Sequence, residues 1–336
     1  MIRQWSYAFC LLPFALTLAG NLTGDWWAGA NLFFIVGVLG LLEWWVPADT
    51  SNQAEHDGRL PDFWLAMAVP CTLLAIGSLV WGVYTQVLSG GALVLAVLST
   101  AFHTGAMGIV AAHEMIHRSK KSWVHAGNLL LFAAFNPYFY VDHLRVHHRY
   151  VGTSRDHATA RYGENFYAFL GRSLRGQLTE ALQLEAERNR KANQAAYGWG
   201  NYVVRQLIGQ VLLLAALTWW AGPLLAFAVL MQGILASVLL EYTNYIEHYG
   251  ILRPENSRVA YATSWQSDKW FSRFLLYDLS RHSDHHVHGA RPYHQLRSFE
   301  EAPVLPGGYA SLIIPALVPP IWFALVHPKL AEIKRD

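Results

Sequence analysis

The chain has 336 residues, of which 53% are hydrophobic, 14% aromatic and only 14% charged, with a net charge of +2. Soluble domains carry about 25% charged residues, so the deficit points to an integral membrane protein, and the small net charge without a basic tract speaks against a nucleic-acid partner. Cys10 and Cys71 both fall in apolar runs, which excludes a disulfide framework, a CxxC zinc site and an iron–sulfur cluster.

The N-terminal run MIRQWSYAFCLLPFALTLAG reads as an uncleaved first span, because Trp5 and Tyr7 interrupt its start and further spans follow closely. Apolar stretches near the spanning length of about 20 residues recur over 5–22, 26–46, 62–84, 91–112, 203–221 and 224–245. Aromatic residues mark their ends, among them Trp26, Trp27, Trp44, Trp45, Trp81, Trp219, Trp220 and Tyr242. The connections 23–25, 85–90 and 222–223 contain no Lys or Arg, whereas basic residues gather in 47–61, 113–202 and 246–336. The positive-inside rule then puts the termini and both long polar regions in the cytoplasm, as in a multi-pass protein of the inner membrane. Residues 171–202 read as a charged, solvated helix with i,i+4 pairing. Segment 307–327 is broken by Pro315, Pro319 and Pro320; a seventh span would carry the basic tail KLAEIKRD to the wrong side, so a re-entrant or surface-lying segment is expected. The expected fold is all-α: one domain over 1–336, with about six transmembrane helices and a cytoplasmic histidine-rich catalytic region in 113–202 and 246–306.

Nine of the 16 histidines cluster at or beyond the cytoplasmic ends of these spans. His113 and His117 sit four apart in HEMIHR. His143, His147 and His148 repeat that spacing, with one neighbour, in DHLRVHH. His248 lies in NYIEHYG, and His282, His285 and His286 in RHSDHHVHG. On a helix, residues three or four apart share a face, so each pattern predicts imidazoles converging on one point. Eight or nine imidazoles exceed the needs of one ion and suit two, each keeping a position open for dioxygen or substrate; ligand type alone allows iron, copper, nickel or zinc. Each cluster also carries a carboxylate, Glu114, Asp142, Glu247 or Asp284, the kind of group to which a ligating histidine gives its second N–H. The alternative for these four is helix capping or pairing with Arg118, Arg145 and Arg281.

The other histidines read more plainly. His56, His157, His294 and His327 are expected at the surface or interface, His125 at a segment end, and His288 beside the third cluster. His103 reads as a neutral, satisfied packing residue within a span. Glu43 and Glu241, near cytoplasmic span ends, are expected to snorkel towards water.

In their order, HEMIHR, DHLRVHH, NYIEHYG and RHSDHHVH resemble the histidine boxes of membrane alkane 1-monooxygenases, and TSRDHATARYGENFYAFLGRS (153–173) resembles the segment after that family's second box. The likeness runs from about residue 100 to 300, with the span layout matching on either side. It implies a non-haem di-iron centre with His113, His117, His143, His147, His148, His248, His282, His285 and His286 as ligands. It also implies O2-dependent hydroxylation of a terminal methyl group, with electrons from a rubredoxin and rubredoxin reductase. The chain has no flavin or nicotinamide fingerprint, which agrees with an external electron donor, and rubredoxins are acidic, which suits the basic cytoplasmic face. Where the family usually reads HELGHK, and has Glu and Gly in the second box, this chain has Ile116, Asp142 and Val146. The metal pattern survives; the pocket is reshaped, which leaves functionalised chains and aromatics open beside plain alkanes.

An alkyl chain dissolved in the bilayer reaches an intramembrane pocket without crossing water, and its methyl group yields only to a strong oxidant. A fatty-acyl desaturase or alkyl-aromatic hydroxylase would use the same site. HEMIH also matches the HExxH of zinc proteases, with Glu114 as base, but this leaves seven clustered histidines unused. A metal transporter would bind near the midplane rather than at one surface.

Overall fold

The computed structural model describes residues 2–52 and 57–333, which include 15 of the histidines but not His56. In chain order, α1 (Ser6–Thr23), α2 (Asp25–Trp45), α3 (Arg59–Tyr84) and α4 (Gly90–Ile116) are each long and apolar enough to cross a membrane. The next three elements lie outside that set. They are α5 (Lys121–Ala133), α6 (Phe139–Asp142, continued by His143–His147 and His148–Tyr150) and the amphipathic α7 (Phe166–Lys191). Two further spanning helices follow, α8 (Tyr202–Ala221) and α9 (Pro223–Glu247), for a total of six. Short helices α10 (Trp270–Leu275), α11 (His282–Val287) and α12 (Ile313–Leu317) lead to α13 (Pro319–Ile333). The described residues form no strand. In hydrocarbon every backbone N–H and C=O must be paired within the segment, which is why these apolar runs are helices.

The periphery is apolar because lipid covers it. Only 11% of the α8 window is buried, and Val211, Leu212 and Trp219 face outward. Tyr84 and Trp220 stack with centroids 4.8 Å apart at one end of the bundle, a polar-tipped aromatic belt. The α8–α9 turn needs a left-handed residue; Gly222 supplies it (φ 89°), and Pro223 opens α9 with no N–H to satisfy. Inside, polar side chains tie helices together. Asn21 of α1 donates to Ser78 Oγ of α3 and Thr100 Oγ1 of α4, each at 3.0 Å.

Helices α4 and α9 pack along each other, and each has clustered histidines at or just beyond its C-terminal end. Thr104–Ile109 of α4 is π-helical, a distortion that recurs near functional sites. There Gly105 lets α9 approach closely: a Cβ on it would stand 3.0 Å from Leu239 Cβ.

Several expectations need correction. Glu43 and Glu241 do not snorkel; both are buried, because polar segments outside the spans fold over the ends of α2 and α9. Glu43 accepts from Ser272 Oγ (2.5 Å) and Ser311 N (2.9 Å). Glu241 accepts from Gln177 Nε2 (2.8 Å) and Asn244 Nδ2 (3.3 Å). His103 is buried against Phe14, but neither ring nitrogen has a hydrogen-bond partner, so it is not a satisfied packing residue. The helix expected over 171–202 starts at Phe166, capped by Asn165, and ends at Lys191. Asn193 there takes φ 56° and the glycine-bearing turn up to Asn201 follows. This helix is not wholly solvated: Glu185 is buried, bridging Arg145 (3.1 Å) and Tyr202 N (3.0 Å). Segment 307–327 is no spanning helix, yet it is largely interior, with Tyr309, Leu312, Ala316 and Trp322 in the same core cluster as Tyr245 and Tyr249 of α9 and the loop beyond it.

Candidate metal centre

The histidines reach the centre from four places. α4 carries His113 and is capped by His117, α6 carries His143, His147 and His148, His248 caps α9, and α11 holds the last three. Their donor atoms form two groups, each with all atoms within 4.8 Å of one another. One contains His113, His117, His143, His148 and His285; the other contains His147, His248, His282 and His286.

The second and third clusters do not each converge on one point. Residues 143–147 are π-helical, and the wider turn brings residues five apart into line. His143 and His148 therefore face each other, Nε2 to Nε2, at 3.0 Å, while His147 turns to the other group. On α11, His282 and His286 pair at 2.8 Å, and His285 instead meets His148 at 3.1 Å. Both clusters thus straddle the two groups.

These spacings test whether metal ions fit. Nitrogens bound about 2.1 Å from an ion lie about 3.0 Å apart at right angles and about 3.4 Å apart at tetrahedral angles. The closest pairs in the five-nitrogen group are His113–His143 at 2.7 Å and His117–His143 at 3.0 Å. His248–His282, in the four-nitrogen group, stands at 3.1 Å. These pairs stand close enough to share one ion, and all-nitrogen ligation leaves iron, copper, nickel or zinc open. Burial first, and the neighbouring imidazoles second, hold His143, His148, His282, His285 and His286 well below the ordinary imidazole pKa. Neutral rings present lone pairs, as ligation requires. His147 shows the need most plainly. Its Nδ1 stands 3.0 Å from Asp156 Oδ2, and its Nε2, aimed into the group, has no hydrogen-bond partner.

The four carboxylates singled out in the sequence play different parts. Glu114 accepts from Arg118 Nε (2.7 Å) and Tyr293 N (3.3 Å). Asp284 accepts from Arg291 (2.6 Å), His288 Nδ1 (2.8 Å) and Arg297 N (2.8 Å), bracing the loop behind α11. Asp142 is buried with one oxygen unpartnered; burial, then the charges of Asp156 and Glu241, push its pKa well up. Glu247 is the one beside the metal-facing nitrogens, with Oε2 3.2 Å from His282 Nε2. Asp156, which the sequence did not single out, is the carboxylate that orients a clustered histidine. Its own pKa falls below the ordinary value, since His147 and the Thr159 hydroxyl outweigh the upward push of burial. Its only sequence signal is its place in the 153–173 segment.

Beyond the centre, His125 is exposed, His157 stands 3.6 Å from Glu180, and His327 lies half-buried, 3.0 Å from Tyr249 Oη. His294 is buried rather than superficial, because its loop folds onto Gly58. The third cluster is anchored by buried Arg281, which donates to Asp268 Oδ1 (3.0 Å) and Leu296 O (2.8 Å).

Apolar cavities lead away from the histidine groups in a series with shared walls. The nearest touches His113, His143, His282 and Glu247. The next shares Gly105, Val110, Thr243, Leu276 and Tyr309 with it. A third adjoins that one at Phe102, Leu239, Tyr242 and Ile313, and reaches Leu98, Leu235 and Leu317. Polar wall groups are satisfied internally: Tyr242 Oη donates to Tyr309 O (2.6 Å) and Thr243 Oγ1 to Leu239 O (3.2 Å). The walls of the series are predominantly apolar, as an alkyl chain requires.

Six spanning helices, two facing groups of neutral imidazoles and an apolar cavity series define a multi-pass membrane metalloenzyme acting on a hydrophobic substrate. The fatty acid desaturase family profile matches residues 89–315. Alkane 1-monooxygenase 1 of Pseudomonas aeruginosa is 34% identical over 98% of this chain and 91% of its own length. Alkane 1-monooxygenase 2 of Alcanivorax borkumensis is 32% identical, over 97% and 89% respectively. The xylene/toluene monooxygenase hydroxylase component XylM of Pseudomonas putida is 28% identical, over 92% and 84%. The chain belongs to the fatty acid desaturase family, within its alkane 1-monooxygenase branch, and is a membrane non-haem di-iron monooxygenase by class.

Proposed function

We propose that this protein hydroxylates the terminal methyl group of an alkane or alkyl chain, using O2 and two electrons from a rubredoxin-type donor. The reaction balances as R–CH3 + O2 + 2e− + 2H+ → R–CH2OH + H2O. The observation that carries this reading is the pair of converging imidazole groups, with an apolar cavity touching both His143 and His282. His113, His117, His143, His148 and His285 would hold one iron and His147, His248, His282 and His286 the other. Bound and reduced, the two irons supply the oxidant that an unactivated C–H bond demands. The chain's own part is placement. Gly105, Val110 and Leu276 line the final approach and exclude water, Asp156 fixes the His147 tautomer, and Arg281 anchors α11. Basic residues gathered on the centre's side favour a cytoplasmic active face in the inner membrane, where an acidic donor would dock.

The test is co-expression with a rubredoxin and its reductase, feeding n-alkanes, fatty acids and alkylbenzenes under labelled O2. A primary alcohol carrying one labelled oxygen, with close to two irons per chain, is expected. An unlabelled alkene would instead assign desaturation, and zinc in place of iron would overturn the redox reading.

A further inference from the structure

Tyr249, one peptide bond beyond His248, begins a row of oxidisable side chains that ends at the protein surface. Its ring stands 5.3 Å from Tyr245 and 5.5 Å from buried Trp322, and its carbonyl accepts from Trp265 Nε1 at 2.9 Å. Its hydroxyl oxygen accepts from Gly163 N (2.8 Å), so its O–H is directed to the other neighbour, His327 Nε2, at 3.0 Å. His327 then carries its proton on Nδ1 and donates to Tyr162 Oη at 3.3 Å, with the two rings stacked 4.3 Å apart. Burial lowers the His327 pKa, which keeps the ring neutral and Nε2 an acceptor. Tyr162 is 57% exposed. A phenol gives up an electron readily when its proton can leave with it, and a hydrogen-bonded imidazole takes that proton. Tyr167 is as exposed, at 59%, but its hydroxyl donates to Leu317 O (2.9 Å), which is no base. The chemistry supplies the need. An oxidant able to attack a methyl group attacks the imidazoles around it when the cavity is empty, and a site for such chemistry has to restrain competing reactions.

We propose that Tyr249, His327 and Tyr162 form a relay that carries oxidising equivalents from the metal centre to the surface when O2 is activated with no alkyl chain in the cavity. The inference rests on the oxygenase reading above. Tyr249 gives one electron to the centre while its phenolic proton passes to His327 Nε2. Tyr162 then gives one electron to Tyr249 and its own proton to water, and the Nε2 proton returns to Tyr249. A water-soluble thiol restores Tyr162 by giving up a hydrogen atom, and two thiyl radicals so formed pair as a disulfide. The experiment uses iron-loaded full-length protein in lipid nanodiscs, with a rubredoxin and its reductase, O2, no thiol and a nitroso spin trap that bonds to tyrosyl radicals. Peptide mapping by mass spectrometry then locates the adducts in wild type, Y249F, H327Q and Y167F. Without alkyl substrate, wild type should carry several-fold more adduct on Tyr162 than on Tyr167 or on Tyr197, which is equally exposed at 57%. A saturating alkane should suppress it. In Y249F and H327Q the Tyr162 adduct should fall to the level of those two tyrosines with iron content unchanged, and oxidation should move to the clustered histidines; Y167F should behave as wild type at Tyr162. Equal adducts on the three tyrosines of wild type would overturn the proposal, as would a Tyr162 adduct that persists in Y249F or H327Q or that Y167F abolishes equally. Failure of wild type to make alcohol from any alkyl substrate would overturn the oxygenase reading and this proposal with it, and is told apart because it is measured without the trap.

Discussion

Replacing Asp156 by Asn is nearly isosteric yet should strip the four-histidine group of a ligand. Asp156 Oδ2 faces His147 Nδ1 at 3.0 Å and accepts from the Thr159 hydroxyl at 2.6 Å, while Oδ1 accepts from Ala158 N at 3.1 Å. An amide has one acceptor and one donor end. With its oxygen kept towards Ala158 N–H, its NH2 meets His147 Nδ1 and donates to it, which drives the ring proton onto Nε2, the nitrogen that must bind metal. Flipped, the NH2 confronts the Ala158 N–H, donor against donor, and a buried amide is left unpaired. Either way the aspartate's tautomer control is lost. The expected cost is about 10- to 100-fold in affinity for that ion, equivalent to about 1.4–2.8 kcal/mol. Titration of metal-free protein with ferrous iron or cobalt reads this directly as one weakened site beside one intact site, and alcohol production should fall with it. D156N that binds both ions as tightly as wild type would refute the tautomer reasoning.

Three other outcomes are expected. Ala106 lines the middle cavity, so A106F should cut turnover of long alkyl chains far more than of short ones while iron content stays at the wild-type level; equal loss at every chain length would mean that the cavity is not the route. R281L leaves Asp268 with a buried, unpaired charge and frees the start of α11. A loss of about 3–5 kcal/mol is expected, read as a lowered melting temperature, and a change of a degree or less would contradict it. Burial and neighbouring rings depress the pKa of His143, His148, His282, His285 and His286 in the folded chain. Their contribution to the stability of metal-free protein is therefore complete above the unfolded value of about 6.5. It is lost as pH falls below that value, because the unfolded chain binds the protons first, and thermal melts of apo-protein from pH 8 to 5 should fall accordingly.

Much of this was legible in one dimension. Spanning runs declare themselves by length and charge deficit, and the six observed helices begin and end within a few residues of the stretches read from hydropathy. The histidine clusters were visible too, but not their sorting. Spacing rules assume 3.6 residues per turn, and the π-turn at 143–147 replaces that period with one that pairs His143 with His148. Burial of Glu43 and Glu241 was hidden for another reason. A carboxylate near a span end reads as solvated unless one knows that Ser272, Ser311 and Gln177, 64 or more positions away, fold over it. Tyr309 gave no local signal: its hydrogen bond to Glu247 spans 62 positions.

The series of apolar cavities between α4 and α9 has a kinetic consequence. A reactant that enters sideways from the lipid is supplied at its concentration in the leaflet, which partitioning fixes and the aqueous dose does not. Half-saturation should therefore scale with the amount of bilayer present and converge only when expressed as mole fraction in the membrane. Diluting the proteoliposomes with empty vesicles would slow the enzyme without any change to the protein.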